Sequence, residues 1–322
     1  MNRKIALLPT LAYIATFLAL FVVALGAYTR ATNAGLGCPD WPGCYNQLTA
    51  PHTATQIDQA KQTFHTNALH VKKAWTEMIH RYVAGTLSVL ILILVIGYFR
   101  QYPFVCASLI AVIIFQILLG MWTVTLKLMP IVVLGHLLGG LTTLILLWLL
   151  ALKSRPIFIT SFSKILKPFA MISLIILALQ IILGGWVSTN YAALICREFP
   201  YCSMHQFFPL FDLKQAFNLF HQVGEISPGA LMTIHMIHRT WAVVVAVFLS
   251  LFGFMLIKKS NEKLLHRLAY LLFLFLIIQI TFGILNVVWL LPIGTAVAHN
   301  AVAALLLMTL VALNYLLFHE SK

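Results

Sequence analysis

The chain has 322 residues, 61% of them hydrophobic and only 9% charged, with a formal net charge of +13. A soluble domain is roughly one-quarter charged, so this composition excludes a soluble globular fold and points to a polytopic membrane protein. The apolar runs are continuous instead of alternating over about ten residues, which excludes a transmembrane β-barrel.

A helix needs about 20 apolar residues to cross a bilayer. In chain order eight runs qualify: 10–29, 78–98, 104–126, 130–152, 168–189, 229–257, 265–289 and 293–318. The first follows Met-Asn-Arg-Lys, as a signal peptide would. Its full spanning length, with no clear small-residue cleavage site after it, marks it as a span. The sixth is longer than needed and is expected to tilt or to project from the membrane.

With eight spans both termini share one side. Placing them inside gives the inner segments twelve of the 21 basic residues, from Arg3 and Lys4 to Lys322, against two acids, Glu262 and Glu320. Short inner loops rich in Lys and Arg satisfy the positive-inside rule, so both termini are expected in the cytoplasm. This distribution accounts for the net charge and leaves no nucleic-acid signal. No Arg- and Ser-rich transit peptide precedes the first span, which favours a bacterial plasma (inner) membrane over an organelle.

The chain repeats itself. "GLGCPDWPGC" ends at Cys44 and "LICREFPYC" at Cys202, and in each the two cysteines are six residues apart. From Cys44 to His80 is 36 residues, as it is from Cys202 to His238. "EMIHR" at 77–81 is echoed by "HMIHR" at 235–239, and "QILLGMWTVTLKLMPIVVLGH" by "QITFGILNVVWLLPIGTAVAH". Repeats of this kind mark duplicated architecture. The predicted fold is all-α: two tandem four-helix bundles over 1–152 and 168–322, joined by a cytoplasmic linker at 153–167. Each half has an even number of spans, so a pseudo-twofold axis along the membrane normal is expected.

The repeat isolates four of twelve histidines: His80, His136, His238 and His299. Under the expected topology their spans all enter from the outer face. His80 and His238 fall in the first turns, and His136 and His299 follow Pro130 and Pro292 at a depth of roughly 10 Å. A lone histidine there would simply make an interhelical hydrogen bond. Four, paired by duplication at one depth, suit bis-imidazole ligation of haem iron, and intramembrane ionisable residues face the bundle interior. Gly85, Gly120, Gly135, Gly139 and Gly140 would let a flat macrocycle lie on helix backbones, although close helix packing uses glycine equally. Zinc fits less well, because four converging ligands with carboxylates behind them would be needed. Arg81 and Arg239 each follow a histidine. They either pair with haem propionates or anchor the helix at the interface.

Four of the five cysteines lie in outer loops. Outside a bacterial plasma membrane is oxidising, so disulfides Cys38–Cys44 and Cys196–Cys202 are expected. A redox-active dithiol in the first pair is the competing reading. Cys106 reads as an apolar packing residue. The halves differ at one place: Glu77 precedes His80 by three residues and shares its helix face, whereas the matching residue is His235. Glu77 is either a general base or charge-stabilising group, or an acid in a first helical turn favoured by the helix dipole. No role follows from the sequence for His235.

The loops "GCPDWPGC" and "CREFPYC", with "EMIHRYVAG", "HMIHRTWA", "GHLLGG" and "AHNAVAA", resemble the haem A synthases of the cytochrome oxidase assembly family, of the cysteine-bearing bacterial type. The resemblance covers the whole chain. It implies conversion of haem O to haem A by two successive hydroxylations of the C8 methyl, giving a formyl group. It implies that His238 and His299 ligate a resident haem b, that His80 and His136 flank the substrate haem, and that Glu77 is the essential acid. It implies that the first cysteine pair is functionally important and the second structural. Haem O synthase and cytochrome oxidase assembly proteins are candidate partners, beside membrane lipid and an electron donor or acceptor the sequence does not name. The homo-oligomeric state stays open. A diheme b-type electron carrier is the alternative; it should place haems at both membrane depths. A repeat-built transporter would show broken helices and polar groups at mid-membrane, and few are found.

Overall fold

The computed structural model describes residues 3–65, 69–155, 157, 159 and 162–319, without the side chains of 3–6. Glu320 and Lys322, the charges of Arg3 and Lys4, and linker positions 156, 158, 160 and 161 lie outside the described residues. Among the described residues eight helices are long and apolar enough to cross a membrane. They are α1 (Arg3–Ala31), α3 (Val71–Tyr98), α4 (Pro103–Thr125), α5 (Pro130–Ser154), α6 (Leu166–Thr189), α8 (Pro228–Lys258), α9 (Lys263–Val288) and α10 (Ile293–Phe318). In hydrocarbon every backbone N–H and C=O must be satisfied within the segment, which is why these runs are helical. Two short helices, α2 (Ala54–Thr63) and α7 (Leu213–Ala216), lie in the long loops before α3 and α8.

The helix starts follow local chemistry. Pro103, Pro130 and Pro228 begin α4, α5 and α8, where the missing N–H costs nothing. The Ser227 hydroxyl accepts the Ala230 N–H at the start of α8, and Thr53 with Gln56 forms a capping box on α2.

Two helix starts differ from expectation. Helix α1 already begins at Arg3, seven residues before the run at 10. Helix α3 begins at Val71, seven residues before the apolar run at 78. Its first two turns bury Ala74 and Met78 in an apolar cluster with Cys38, Cys44 and Tyr45 of the preceding loop, and Glu77 is buried beside them against Cys38. Tertiary packing against that loop, instead of lipid, covers these turns. Glu77 therefore sits in the second turn, and α3 has no acid in its first turn.

Helix α1 packs on α3 and α5, and α4 on α3 and α5. The second half repeats this: α6 packs on α8 and α10, and α9 on α8 and α10. Across the middle, α1 meets α10, α5 meets α6, and α5 meets α10. Exchanging the halves leaves this set of contacts unchanged. Helix α10 is the most enclosed span, with 61% of its apolar window buried against 17% for α4 and α9. So α10 belongs to the seam, and α4 and α9 lie at the periphery. Polar ties cross the seam: Trp148 Nε1 donates to the Met308 carbonyl at 2.9 Å, and Arg30 Nη2 to that of Ser188 at 2.5 Å.

Candidate functional site

At one end of the bundle two loops cap the helices, each closed by a disulfide: Cys38–Cys44 and Cys196–Cys202. An acid inside each loop shapes it. Asp40 accepts the backbone N–H groups of Tyr45 and Asn46 at 2.6 and 2.8 Å. Glu198 accepts those of Met204 and His205, both at 3.2 Å. All four of these residues have positive φ, so the carboxylate holds a left-handed turn that the side chains alone disfavour. Burial, with the Asp40 and Glu77 carboxylates nearby, pushes the Tyr45 phenol pKa up.

Each loop is bound to its helix by one arginine. Arg81 Nη1 donates to the carbonyls of Asp40 (3.2 Å), Pro42 (3.1 Å) and Gly43 (2.6 Å). Arg239 Nη1 donates to those of Glu198 and Tyr201, and Nη2 to that of Cys196, all at 2.9 Å. Asp40 and Gly43 match Glu198 and Tyr201 in the repeat. The planar guanidinium fork suits several fixed acceptors at once. Both arginines therefore already hold protein partners, apart from any propionate.

The halves diverge one turn earlier. The buried Glu77 carboxylate accepts from Arg81 through Oε1 and from the Cys38 backbone N–H through Oε2 at 2.9 Å. The loop reaches it because Gly37 lies against the α3 backbone, where a Cβ would come within 2.5 Å of Lys73. Isoleucine stands at the matching position, 195. In the second half the buried His235 takes the place of the acid. Its Nδ1 is 2.9 Å from the Ala192 carbonyl, which requires the proton on Nδ1, and its Nε2 accepts from Arg239 Nε at 3.0 Å. A neutral imidazole thus satisfies the same arginine without a negative charge. His235, unread in the sequence, is a loop tie.

The four repeat histidines lie on α3, α5, α8 and α10. The rings of His80 and His136 face each other with centroids 6.5 Å apart and planes at 81°. Two metal–nitrogen bonds of about 2 Å each plus two ring radii give a separation of this order. In all four rings the Nδ1 atom is buried and has no hydrogen-bond partner. Each ring also rests on a helical glycine. A Cβ built on Gly26, Gly184, Gly120 or Gly283 would meet Cε1 of His80, His238, His136 or His299 at 3.1, 2.8, 3.5 and 3.3 Å. Glycine backs every imidazole of both pairs. These residues fit a flat, iron-centred group held between facing imidazoles. Among the described residues no group of three or more His, Cys, Asp or Glu converges on a metal position, so the donors come as pairs.

Of the glycines singled out by sequence, Gly120 is the one that backs a histidine. Gly135 meets Leu119, Gly139 and Gly140 meet Gln116, and a Cβ on Gly85 would meet nothing within 4 Å. Sequence reasoning missed Gly26 and Gly184, although each stands 54 residues before its histidine in the repeat. It also missed Gln279, whose Nε2 is 3.2 Å from His299 Nε2, and Gln116, its repeat mate. Cys106 is free and buried.

The chain matches the family described as cytochrome oxidase assembly protein (COX15-CtaA) over residues 9–311. A protein of Shewanella oneidensis named heme A synthase is 43% identical, the match covering 94% of each chain. Two others of the same name are each 26% identical: one from Flavobacterium psychrophilum, covering 91% of this chain and 93% of its own, and one from Bacillus licheniformis, covering 91% and 90%.

Proposed function

The chain belongs to the cytochrome oxidase assembly protein family, and from that membership we propose that it is a haem A synthase. It oxidises the C8 methyl of haem O to a formyl group by successive hydroxylations, supplying haem A for cytochrome oxidase. The observation that carries this is the 43% identity, over 94% of both chains, to a protein named heme A synthase. The paired imidazoles at one end of each half support it.

His238 and His299 are the residues that would hold a resident haem b, in the half 168–322. Such a group, when bound, supplies one-electron transfer. His80 and His136 flank the substrate haem O in the half 1–152, and the 153–167 linker joins the two. This assignment rests on Glu77, which only the first half has. Its carboxylate is fixed from two sides, by Cys38 N–H and by Arg81. Held so, it presents its remaining lone pairs without reorganisation, and can stabilise positive charge at the substrate edge or take a proton from it. His235 cannot do this, since its Nδ1 proton and its Nε2 lone pair are both engaged. Arg81 acts chiefly by holding Glu77 and the first loop. Any contact of Arg81 or Arg239 with a propionate is made by a guanidinium already bound to loop carbonyls. The Cys38–Cys44 disulfide keeps the Cys38 N–H in place above the acid.

The protein is multi-pass, with eight spans. We place it in the bacterial inner membrane with both termini cytoplasmic and the histidine end near the outer face, following the distribution of Lys and Arg. Electron donor or acceptor and assembly partners are to be sought on that side and in the lipid plane. The test is co-production with haem O synthase followed by pigment extraction. Haem A and its hydroxylated precursor are the expected products, and finding only haem O and haem b would refute the assignment.

A further inference from the structure

We propose that Gly26 on α1 and Gly184 on α6 are positioning residues for the histidine pairs, setting where the imidazoles of His80 and His238 stand. The inference rests on the reading that these imidazoles hold haem. Neither glycine is near its histidine in the chain. Each lies on the neighbouring helix, and the helix backbone itself is the surface on which the ring rests.

Three observations converge. The contact recurs: every one of the four repeat histidines has Cε1 against a helical glycine. The recurrence follows the duplication, with Gly26 and Gly184 each 54 residues ahead of their histidines and Gly120 and Gly283 each sixteen ahead of theirs. Finally, Nδ1 of all four rings is buried without a partner, so with Nε2 toward the iron the usual device that orients a metal-bound imidazole, a hydrogen bond from its second nitrogen, is missing. Steric contact with the glycine is then what fixes the ring. Glycine in a helix interior costs about 1 kcal/mol relative to alanine, so four at these positions need a compensating role.

The distances rank the positions. A methyl on Gly184 would stand 2.8 Å from the His238 ring, closer than real contacts allow, and one on Gly26 would stand 3.1 Å from His80. Gly283 and Gly120 leave more room, at 3.3 and 3.5 Å. Gly185 supplies the internal control. It adjoins Gly184 on α6, and its methyl would strike Leu134 at 2.6 Å and Leu137 at 3.0 Å, with no imidazole involved.

The experiment compares wild type, Gly184→Ala, Gly185→Ala, Gly283→Ala and Gly26→Ala, purified in detergent. Haem b per protein, its low-spin optical and electron paramagnetic signature, its midpoint potential and the melting temperature are read for each. Gly184→Ala is expected to shift the signature and potential and to weaken haem b retention by on the order of 10-fold. Gly283→Ala should give the same change in smaller measure, which keeps the test open should Gly184→Ala not accumulate. Gly185→Ala should lower the melting temperature and keep the wild-type signature. Gly26→Ala should leave the haem b signature as it was and reduce the haem O that co-purifies. A wild-type signature in both Gly184→Ala and Gly283→Ala, or the same shift in Gly185→Ala, would overturn the inference while leaving the haem reading intact. Wild-type protein without haem b would defeat that reading, and the inference with it.

Discussion

The backbone N–H of Cys38 donates a 2.9 Å hydrogen bond to the side chain of Glu77, 39 residues further along the chain. A disulfide loop and a buried helical acid are thereby one unit. Its repeat counterpart, built on Cys196 and His235, keeps the disulfide and the arginine but has an imidazole at the helical position of the acid. The difference locates the chemistry expected of each half.

Glu77→Gln keeps the size of the side chain and an oxygen for Cys38, but removes the charge. Conversion of haem O is expected to fall by about 100-fold or more, with haem b content unchanged. Extracted pigments separated by chromatography give the answer. Wild-type haem A yield would contradict the role assigned to the acid.

Gly37→Ala tests the loop itself. The new methyl would meet the α3 backbone at 2.5 Å, and backbone cannot step aside. The loop must lift and the Cys38 N–H leave Glu77. Loss of conversion with retained haem b is the expected outcome. Thiol accessibility under mild reductant should rise at Cys38 and Cys44 and stay as in wild type at Cys196 and Cys202.

Arg239→Lys removes the fork that spans Cys196, Glu198 and Tyr201. A single ammonium cannot reach all three carbonyls, and part-buried acceptors lose their donor. A lower melting temperature and easier reduction of Cys196–Cys202 are expected. An unchanged melting curve would show that the staple contributes nothing.

His235→Glu asks whether the halves are interchangeable. A carboxylate would satisfy Arg239, but it cannot donate to the Ala192 carbonyl that His235 Nδ1 now serves. Ile195 in place of glycine also keeps the loop N–H away. The variant should lose stability and gain no second converting site, measured by melting temperature and by haem A yield in a Glu77→Gln background.

Haem b retention should fail in His238→Ala and in His299→Ala, with loss of its visible absorption. His80→Ala and His136→Ala should keep that absorption while conversion stops. The reverse pattern would exchange the roles of the two halves.

The eight spans, the duplication and the four histidines were all legible in the sequence, because each is a linear property. Apolar length is set by bilayer thickness, and repeated spacing survives in residue order. The paired cysteines were legible too, since six residues of separation leave a short loop to close. The helix boundary at Val71 was not, because its first turns are polar and are held by a loop, which no periodicity reports.

What only the tertiary structure decided is who meets whom across helices. Gly26 backs His80 from another helix; Gly37 lets the Cys38 N–H reach Glu77; His235 replaces an acid by a neutral tie. Each depends on a distance of a few ångströms between segments tens of residues apart, and such distances follow from packing geometry, not from residue order. The sequence by itself determined that this protein is a duplicated eight-span membrane protein with four histidines repeated in two pairs. The packing decided that the carboxylate of the first half is held by the Cys38 N–H and by Arg81, and that a neutral imidazole takes its place in the second.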